Sequence, residues 1–278
     1  MSQQGSAASI QITSASRSFL CQFRDLWQHR EVLYFLAWRD VRLRYRHAAF
    51  GVLWLILQPA VNMAVVSLLF GRYARLPSNG MPYPLFLLAA LLPWQFASHA
   101  VGQSSTSLVT NESIIQKVYV PKIVMPVAAL LATLVDLMIS LGLLLMILPL
   151  AGVPLQWRIL VLPGYIFLAV VFLLGAGTCL SALDALYRDV RVMLPFALQL
   201  WFFVTPILYP VSMLPEPWRM LSGLNPMAVV VEGFRWALLD GPAVPLSLLL
   251  MSVVSTGGCL LLGMIVFNRI ESGIVDAI

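Results

Sequence analysis

Long stretches without a charged residue are the feature that most restricts how this chain can fold. The first lies between His47 and Arg72, and further stretches near or above the roughly 20 residues that cross a bilayer follow it. With 60% hydrophobic and 10% charged residues and a mean hydropathy of +0.88, the composition lies outside that of soluble domains. The sequence therefore predicts an all-α polytopic membrane protein.

The gaps between charges predict six membrane-spanning helices. We place them at about residues 50–70, 84–104, 123–148, 159–182, 192–213 and 244–267. The predicted six-helix domain, residues 50–267, lies between an N-terminal region, residues 1–49, and a short tail, residues 268–278. Twelve of the seventeen Lys and Arg then lie on the side of the two termini. The positive-inside rule therefore predicts that both termini are cytoplasmic.

A basic segment precedes the first span and mixes four arginines with apolar and aromatic residues. The arginines are Arg39, Arg42, Arg44 and Arg46. This pattern favours an amphipathic interface helix in the headgroup layer, with its apolar side down and its arginines extended toward the phosphates. The alternative is that the arginines only fix the orientation of the first span.

The segment between spans five and six, residues 214–242, is apolar but contains five charged residues. Short re-entrant or interfacial helices, broken at Ser222-Gly223 and at Asn225-Pro226, fit this composition better than a seventh span.

Motifs for catalysis and for metal binding are absent from the sequence. Neither lysine, Lys117 or Lys122, follows a glycine-rich phosphate loop, and there is no HExxH or GxSxG. Cys21, Cys179 and Cys259 are too widely spaced for a zinc site. We expect no catalytic residue, metal or cofactor in this chain. The net charge of +5 clusters at membrane boundaries, which argues for topology rather than nucleic-acid binding.

Polar residues recur every four positions within two of the predicted spans, so each set shares one helix face. The sets are Trp54, Gln58 and Asn62 in span one, and Gln95, His99 and Gln103 in span two. They predict either the lining of a polar substrate path or hydrogen bonds between helices. Several aromatic residues allow the same two interpretations, as sugar-stacking surfaces or as packing: Trp54, Trp94, Trp201, Phe202, Phe203 and Tyr209.

Asp136 is the sole acidic residue deep in a predicted span, with Thr133 and Ser140 near it on the same face. A proton relay is one interpretation. Because no series of ionisable residues occupies the other spans, we favour a structural hydrogen bond.

Several motifs in order resemble ABC-2 type permeases that export polysaccharides. They are Arg39-Asp40, Arg44-Tyr45-Arg46, Gly51 to Trp54, Gln58-Pro59, Asn111 to Pro126, Tyr187 to Val190, Thr205 to Pro210, and Leu224 to Pro226 followed by Glu232 and Arg235. The likeness runs from about Phe35 to Ile278 and is greatest to the O-antigen and teichoic-acid export permeases, often called Wzm or TagG.

That resemblance implies a homodimer of six-span subunits in the bacterial cytoplasmic (inner) membrane. Two copies of a separate, Wzt-like ATPase would bind ATP and Mg and drive a lipid-linked polysaccharide to the outer face. The loop at about residues 105–122 would couple the two proteins through Asn111, Glu112, Lys117, Val118, Tyr119 and Lys122. The glycan would contact Trp54, Gln58, Asn62, Trp94, Gln95, His99, Trp201, Phe202 and Tyr209. Periplasmic gate helices at about residues 214–242 would contain Trp218, Asn225, Pro226, Glu232 and Arg235.

Two alternatives remain open from the sequence, and a third is not supported. The chain could be an ABC-2 permease for a drug or a lipid, or a membrane-embedded transferase that modifies glycans. The transferase would need an acidic or histidine cluster, which His29, His47 and His99 do not form in sequence. A scaffold protein would explain neither the polar faces nor the gate-like segment.

Overall fold

A computed structural model describes residues 24, 26–46, 53–73, 76–118 and 120–277, which contain helices and connections but no strand. The helices are α1 (Arg30–Arg46), α2 (Leu53–Val66), α3 (Tyr83–Thr110), α4 (Glu112–Lys117), α5 (Val124–Leu150), α6 (Leu162–Leu186), α7 (Asp189–Val204), α8 (Glu216–Ser222), α9 (Pro226–Leu239) and α10 (Leu246–Ala277). Ser67–Tyr73 continues α2 as a π-helix, and Trp157–Val161 and Val211–Met213 are 3₁₀ turns.

Four helices among the described residues are long and apolar enough to cross a membrane. They cover Tyr83–Thr110, Val124–Leu150, Trp157–Leu186 and Leu246–Glu271. These ranges correspond to the predicted spans two, three, four and six. The chain is therefore a multi-pass, helical membrane protein. Helix α10 runs on without a break to Ala277, so the predicted tail is a continuation of the last helix.

The helices at predicted spans one and five are shorter. Helix α2 has 14 residues before the π-helical turns begin. Helix α7 has 16 residues and ends at Val204, so its length of about 24 Å falls short of a hydrocarbon core of about 30 Å. The end of α7 has a local cause, because Pro206 disfavours helical geometry at the residue before it, and Thr205 adopts ψ 133°.

Helix α3 is the centre of the bundle. Of its 28 residues, 17 are buried, and they lie on all of its sides. Small residues let neighbouring helices come close, and α3 packs against α5, α6 and α9. At a rise of about 1.5 Å per residue, α3 separates the predicted coupling loop at its C-terminal end from the predicted gate helices near its N-terminal end by roughly 40 Å.

Helices α6 and α10 approach each other closely at two glycines, Gly175 and Gly263. A Cβ added to Gly263 would lie 2.1 Å from the carbonyl oxygen of Gly175, and one added to Gly175 would lie 2.6 Å from the Cα of Leu260. Only glycine fits such backbone-to-backbone contact. The two helices are therefore in contact at backbone level.

The segment between the fifth and sixth predicted spans forms the two short helices α8 and α9. They end and begin at the breaks that the sequence indicates, Ser222-Gly223 and Asn225-Pro226. The Asn225 side chain caps α9 by accepting a hydrogen bond from the Met227 backbone N–H at 3.2 Å.

Candidate functional site: a polar pocket joined to the interface helix

Polar residues from three helices line one small pocket. Gln58 of α2, Gln95 and His99 of α3, and Asp136 of α5 border a cavity of about 30 Å³. Thr133 and Ser140 complete its polar lining. The structure thus brings together three of the predicted path residues and the buried acid. The space suffices for one or two water molecules and not for a sugar chain.

The other members of the two polar faces lie elsewhere. Asn62 is exposed and is not among the residues that line the pocket. Gln103 lies one helical turn beyond His99, where it accepts a hydrogen bond from Arg44. The side chain of Trp54 lies outside the described part of the structure.

Asp136 is paired with the interface helix. Its carboxylate forms an ion pair with Arg44 and accepts a hydrogen bond from the Tyr45 hydroxyl. Asp136 is 6% exposed, and a carboxylate so buried requires a counter-charge. The expectation that Arg44 extends toward the lipid phosphates is therefore wrong. This pairing supports the structural interpretation of Asp136.

Burial sets the protonation of the two α1 side chains in this contact. It lowers the pKa of the Arg44 guanidinium, and the neighbouring acidic groups of Tyr45 and Asp40 oppose that shift. Burial raises the pKa of Tyr45, while Arg44 opposes the shift. The Tyr45 hydroxyl therefore keeps its proton at neutral pH and can donate it in the hydrogen bond to Asp136.

Arg39 connects the same helix to the beginning of the coupling segment. Its Nη2 donates to Asp40 Oδ1 and to Asn111 Oδ1, each at 2.7 Å. Asn111 is 8% exposed. Arg42 and Arg46 are exposed. The four arginines thus fall into two pairs, one attached to the bundle and one exposed.

The predicted coupling segment, which begins at Asn111 and ends at Lys122, contains an exposed turn and has fixed ends. Lys117 and Val118 are exposed, and Glu112 is half-buried and accepts a hydrogen bond from Gln116 at 2.9 Å. At the far end, Lys122 donates to the backbone carbonyl of Glu271 in α10. Tyr119 lies outside the described residues. Because Asn111 is buried, it anchors the segment and does not contribute to its exposed surface.

The predicted aromatic path residues form a separate, packed cluster. The Trp94 ring contacts Trp201 and Phe202 edge-on, with centroid distances of 5.1 and 5.5 Å. Trp201 Nε1 donates to Asn225 Oδ1 at 3.2 Å, which ties the cluster to the start of α9. The Tyr209 hydroxyl donates to the Phe203 carbonyl at 3.2 Å. Within one subunit, these contacts favour the packing interpretation of Trp94 and Trp201.

Arg235 holds the irregular chain that follows α7. It is fully buried and donates to the carbonyls of Ile207 at 2.6 Å, Pro206 at 2.8 Å and Phe86 at 3.3 Å. Its Nη1 also donates to Glu232 Oε1 at 3.0 Å. The carbonyls of Pro206 and Ile207 lie beyond the end of α7, so Arg235 supplies the hydrogen bonds that a buried loop requires. Trp218, in contrast, is 63% exposed.

The sequence offered one signal for the Arg235 contact, the spacing of Glu232 and Arg235 by three residues in a helix. It offered none for the contact of Arg44 with Asp136, because their separation in sequence is large and neither lies in a motif with the other.

Comparison with known proteins adds to this geometry. Residues 31–239 match the family described as ABC-2 type transporter. This chain belongs to that family. It is 30% identical over 214 residues to the O-antigen export system permease protein RfbA of Myxococcus xanthus, which covers 76% of this chain and 82% of the relative. It is 26% identical over 237 residues to the RfbA protein of Klebsiella pneumoniae, covering 84% and 89%. It is also 25% identical over 214 residues to the polysialic acid transport protein KpsM of Escherichia coli, covering 73% and 79%.

Proposed function

We propose that this chain is the membrane permease subunit of an ABC transporter that exports a lipid-linked, O-antigen-like polysaccharide across the bacterial cytoplasmic membrane. The observation that carries this proposal is the family match over residues 31–239, together with relatives that align over most of their length and are named for O-antigen export or polysialic acid transport. A permease, rather than an enzyme, also agrees with a sequence that lacks nucleotide-binding and hydrolase motifs.

In this proposal α2 and α7 are the first and fifth of six spans, and both termini are cytoplasmic. We place α7 at the subunit boundary, where Val192, Phe196 and Val204 are 79%, 64% and 68% exposed in one subunit. A homodimer that pairs such faces would bury them. The polar pocket between α2, α3 and α5 holds about 30 Å³, which is too little for a sugar ring. In this proposal the polymer passes between two subunits, along faces that include the exposed Asn62.

The energy source is a separate ATPase, present in two copies, which binds the ATP and Mg that this chain has no motif to hold. Its docking surface would be the exposed turn from Glu112 through Lys117 and Val118, with Tyr119 and Lys122. The buried Asn111 and the contact of Lys122 with α10 support this role. Because both ends of the turn are attached to the bundle, a displacement of the turn by the ATPase would be transmitted to the membrane helices.

Deletion of this chain in its source strain is the test of the proposal. We expect the surface polysaccharide to disappear and lipid-linked glycan to accumulate in the cytoplasm, as measured by immunoblot and by mass spectrometry of extracted lipids. Surface glycan at wild-type levels would refute the proposal. Loss of a drug-resistance or lipid phenotype with normal glycan would instead indicate another ABC-2 permease.

The coupling role has its own test in the purified complex with the ATPase. Lys117→Ala combined with Tyr119→Ala should reduce glycan-stimulated ATP hydrolysis while the complex elutes normally on gel filtration. Arg42→Ala, an exposed change on α1 outside this turn, serves as the control and should hydrolyse ATP like wild type. Equal stimulation in both variants would remove this turn from the mechanism.

A further inference from the structure

A second cavity lies at the gate end of the bundle, opposite the coupling segment. It has a volume of about 150 Å³ and is bordered by α8, α9, the beginning of α10 and the loop residue Asn79. Most of its wall is aliphatic, with Val229 and Leu248 among the lining residues. Its polar lining includes Arg219, Glu232 and Ser212. A mainly apolar pocket with a few polar groups that converge is typical of a small-molecule site.

Arg219 has an unused donor at this cavity. Its Nη2 donates to the carbonyls of Ser212 at 3.1 Å and Leu214 at 3.2 Å, which fixes the guanidinium in place. Its Nη1 donates in no hydrogen bond with the described residues and is not among the buried polar atoms. Since Arg219 lines the cavity, this nitrogen is the donor that it offers to a bound molecule.

Glu232 places an acid in the same cavity. The side chain is 11% exposed, and its hydrogen bonds with described residues, from Val211 N at 3.1 Å and from Arg235 at 3.0 Å, both use Oε1. Its other carboxylate oxygen is thus left to accept from a ligand. The cavity thus presents a positively charged donor, Arg219, and a negatively charged acceptor, Glu232, beside an aliphatic wall.

These groups select among ligand classes. Glu232 repels a simple anion and Arg219 repels a simple cation, while a hydrocarbon would leave both polar groups without partners. A sugar ring has hydroxyls that both donate and accept, and its C–H edges suit an aliphatic wall. We propose that this cavity binds one monosaccharide unit of the glycan as the chain leaves the transporter. This site rests on the proposed function and assigns it a specific contact at the exit.

Two substitutions test the site while they leave the contacts of the buried Arg235 intact. Arg219→Lys keeps the positive charge but removes the guanidinium donors, including Nη1. Ala243→Trp places a bulky ring at an exposed residue of the cavity lining, where the backbone is not buried. Ala151→Trp is the matched control, because Ala151 is exposed at the same end of the bundle and does not line the cavity.

The assay uses the full-length chain in complex with its ATPase. The probe is a set of oligosaccharides released by mild acid from the surface polysaccharide of the source strain, and binding is followed by saturation-transfer NMR. We expect the Kd for the fragments to rise at least tenfold for Arg219→Lys and for Ala243→Trp, and to stay unchanged for Ala151→Trp. Melting temperatures of all three complexes check that they are folded.

Two results would overturn the site. One is the absence of fragment binding to the wild-type complex, and the other is wild-type affinity in both cavity variants. If deletion of the chain abolishes surface glycan while these variants bind fragments normally, the exit site is wrong and the export function stands. If deletion leaves surface glycan intact, the export function itself is wrong.

Discussion

The ion pair between Arg44 and Asp136 should decide how firmly the interface helix is attached to the bundle. We predict that Arg44→Gln increases the detachment of α1 about 30-fold. The Arg44 side chain is 26% exposed and that of Asp136 is 9% exposed. Loss of one partner from a buried pair costs about 3–5 kcal/mol, and an exposed pair contributes about 1 kcal/mol or less. A partly exposed pair lies between these limits, so we expect about 2 kcal/mol, equivalent to roughly 30-fold.

Cysteine labelling can measure this detachment directly. Val41 is 7% exposed, so Val41→Cys should react with a maleimide only while α1 is released, and the rate then reports the open fraction. Cys21, Cys179 and Cys259 are first replaced by serine. Labelling is followed in native membranes by a gel shift.

Two companion variants make the reasoning refutable. Arg46→Gln removes an exposed arginine of the same helix and should change the labelling rate by about twofold or less. Asp136→Asn added to Arg44→Gln should restore slow labelling, because no unpaired charge then remains in the bundle. If Arg44→Gln labels no faster than Arg46→Gln, the ion pair does not hold the helix.

Three other outcomes follow from the packing and the proposed topology. Arg235→Lys should lower stability by about 3–5 kcal/mol, seen as a lower melting temperature of the purified complex, because lysine cannot replace the forked donors that hold the buried carbonyls; an unchanged melting temperature would contradict this. Gly263→Ala should destabilise the complex by about 1–3 kcal/mol, because the added methyl group would clash with the α6 backbone. Gly257→Ala should be neutral, because a Cβ added there meets open space. In spheroplasts, a membrane-impermeant maleimide should label Ser78→Cys but not Gln116→Cys, and the reverse pattern would invert the topology.

The charge pattern predicted the positions of the long helices well and the length of the short helix α7 poorly. Gaps between charges predicted α3, α5, α6 and α10 because hydrocarbon excludes charged side chains over a fixed thickness. The same count extended span five to residue 213, although α7 ends at Val204. The residues after Thr205 are apolar, so a prediction from composition includes them in the span. The helix nevertheless ends there, because Pro206 disfavours helical geometry at the residue before it.

The candidate site was predictable only as separate pieces. Helical periodicity indicated that Gln95 and His99 share a face, and the pocket contains both. Periodicity describes one helix at a time, so it could not pair Asp136 with Arg44 or place Arg39 on Asn111. Such pairings depend on how helices pack, and a single sequence contains no direct record of that packing.

The backbone contact between Gly175 and Gly263 limits which parts of the transporter can move. Sliding or rotation of α6 against α10 would bring their backbones into steric clash, so the two helices move together as a rigid unit. An alternating cycle that opens and closes a passage must then use joints elsewhere. Helices α2 and α7 make far fewer contacts with the bundle, so the hinges of the transport cycle are to be sought at their ends.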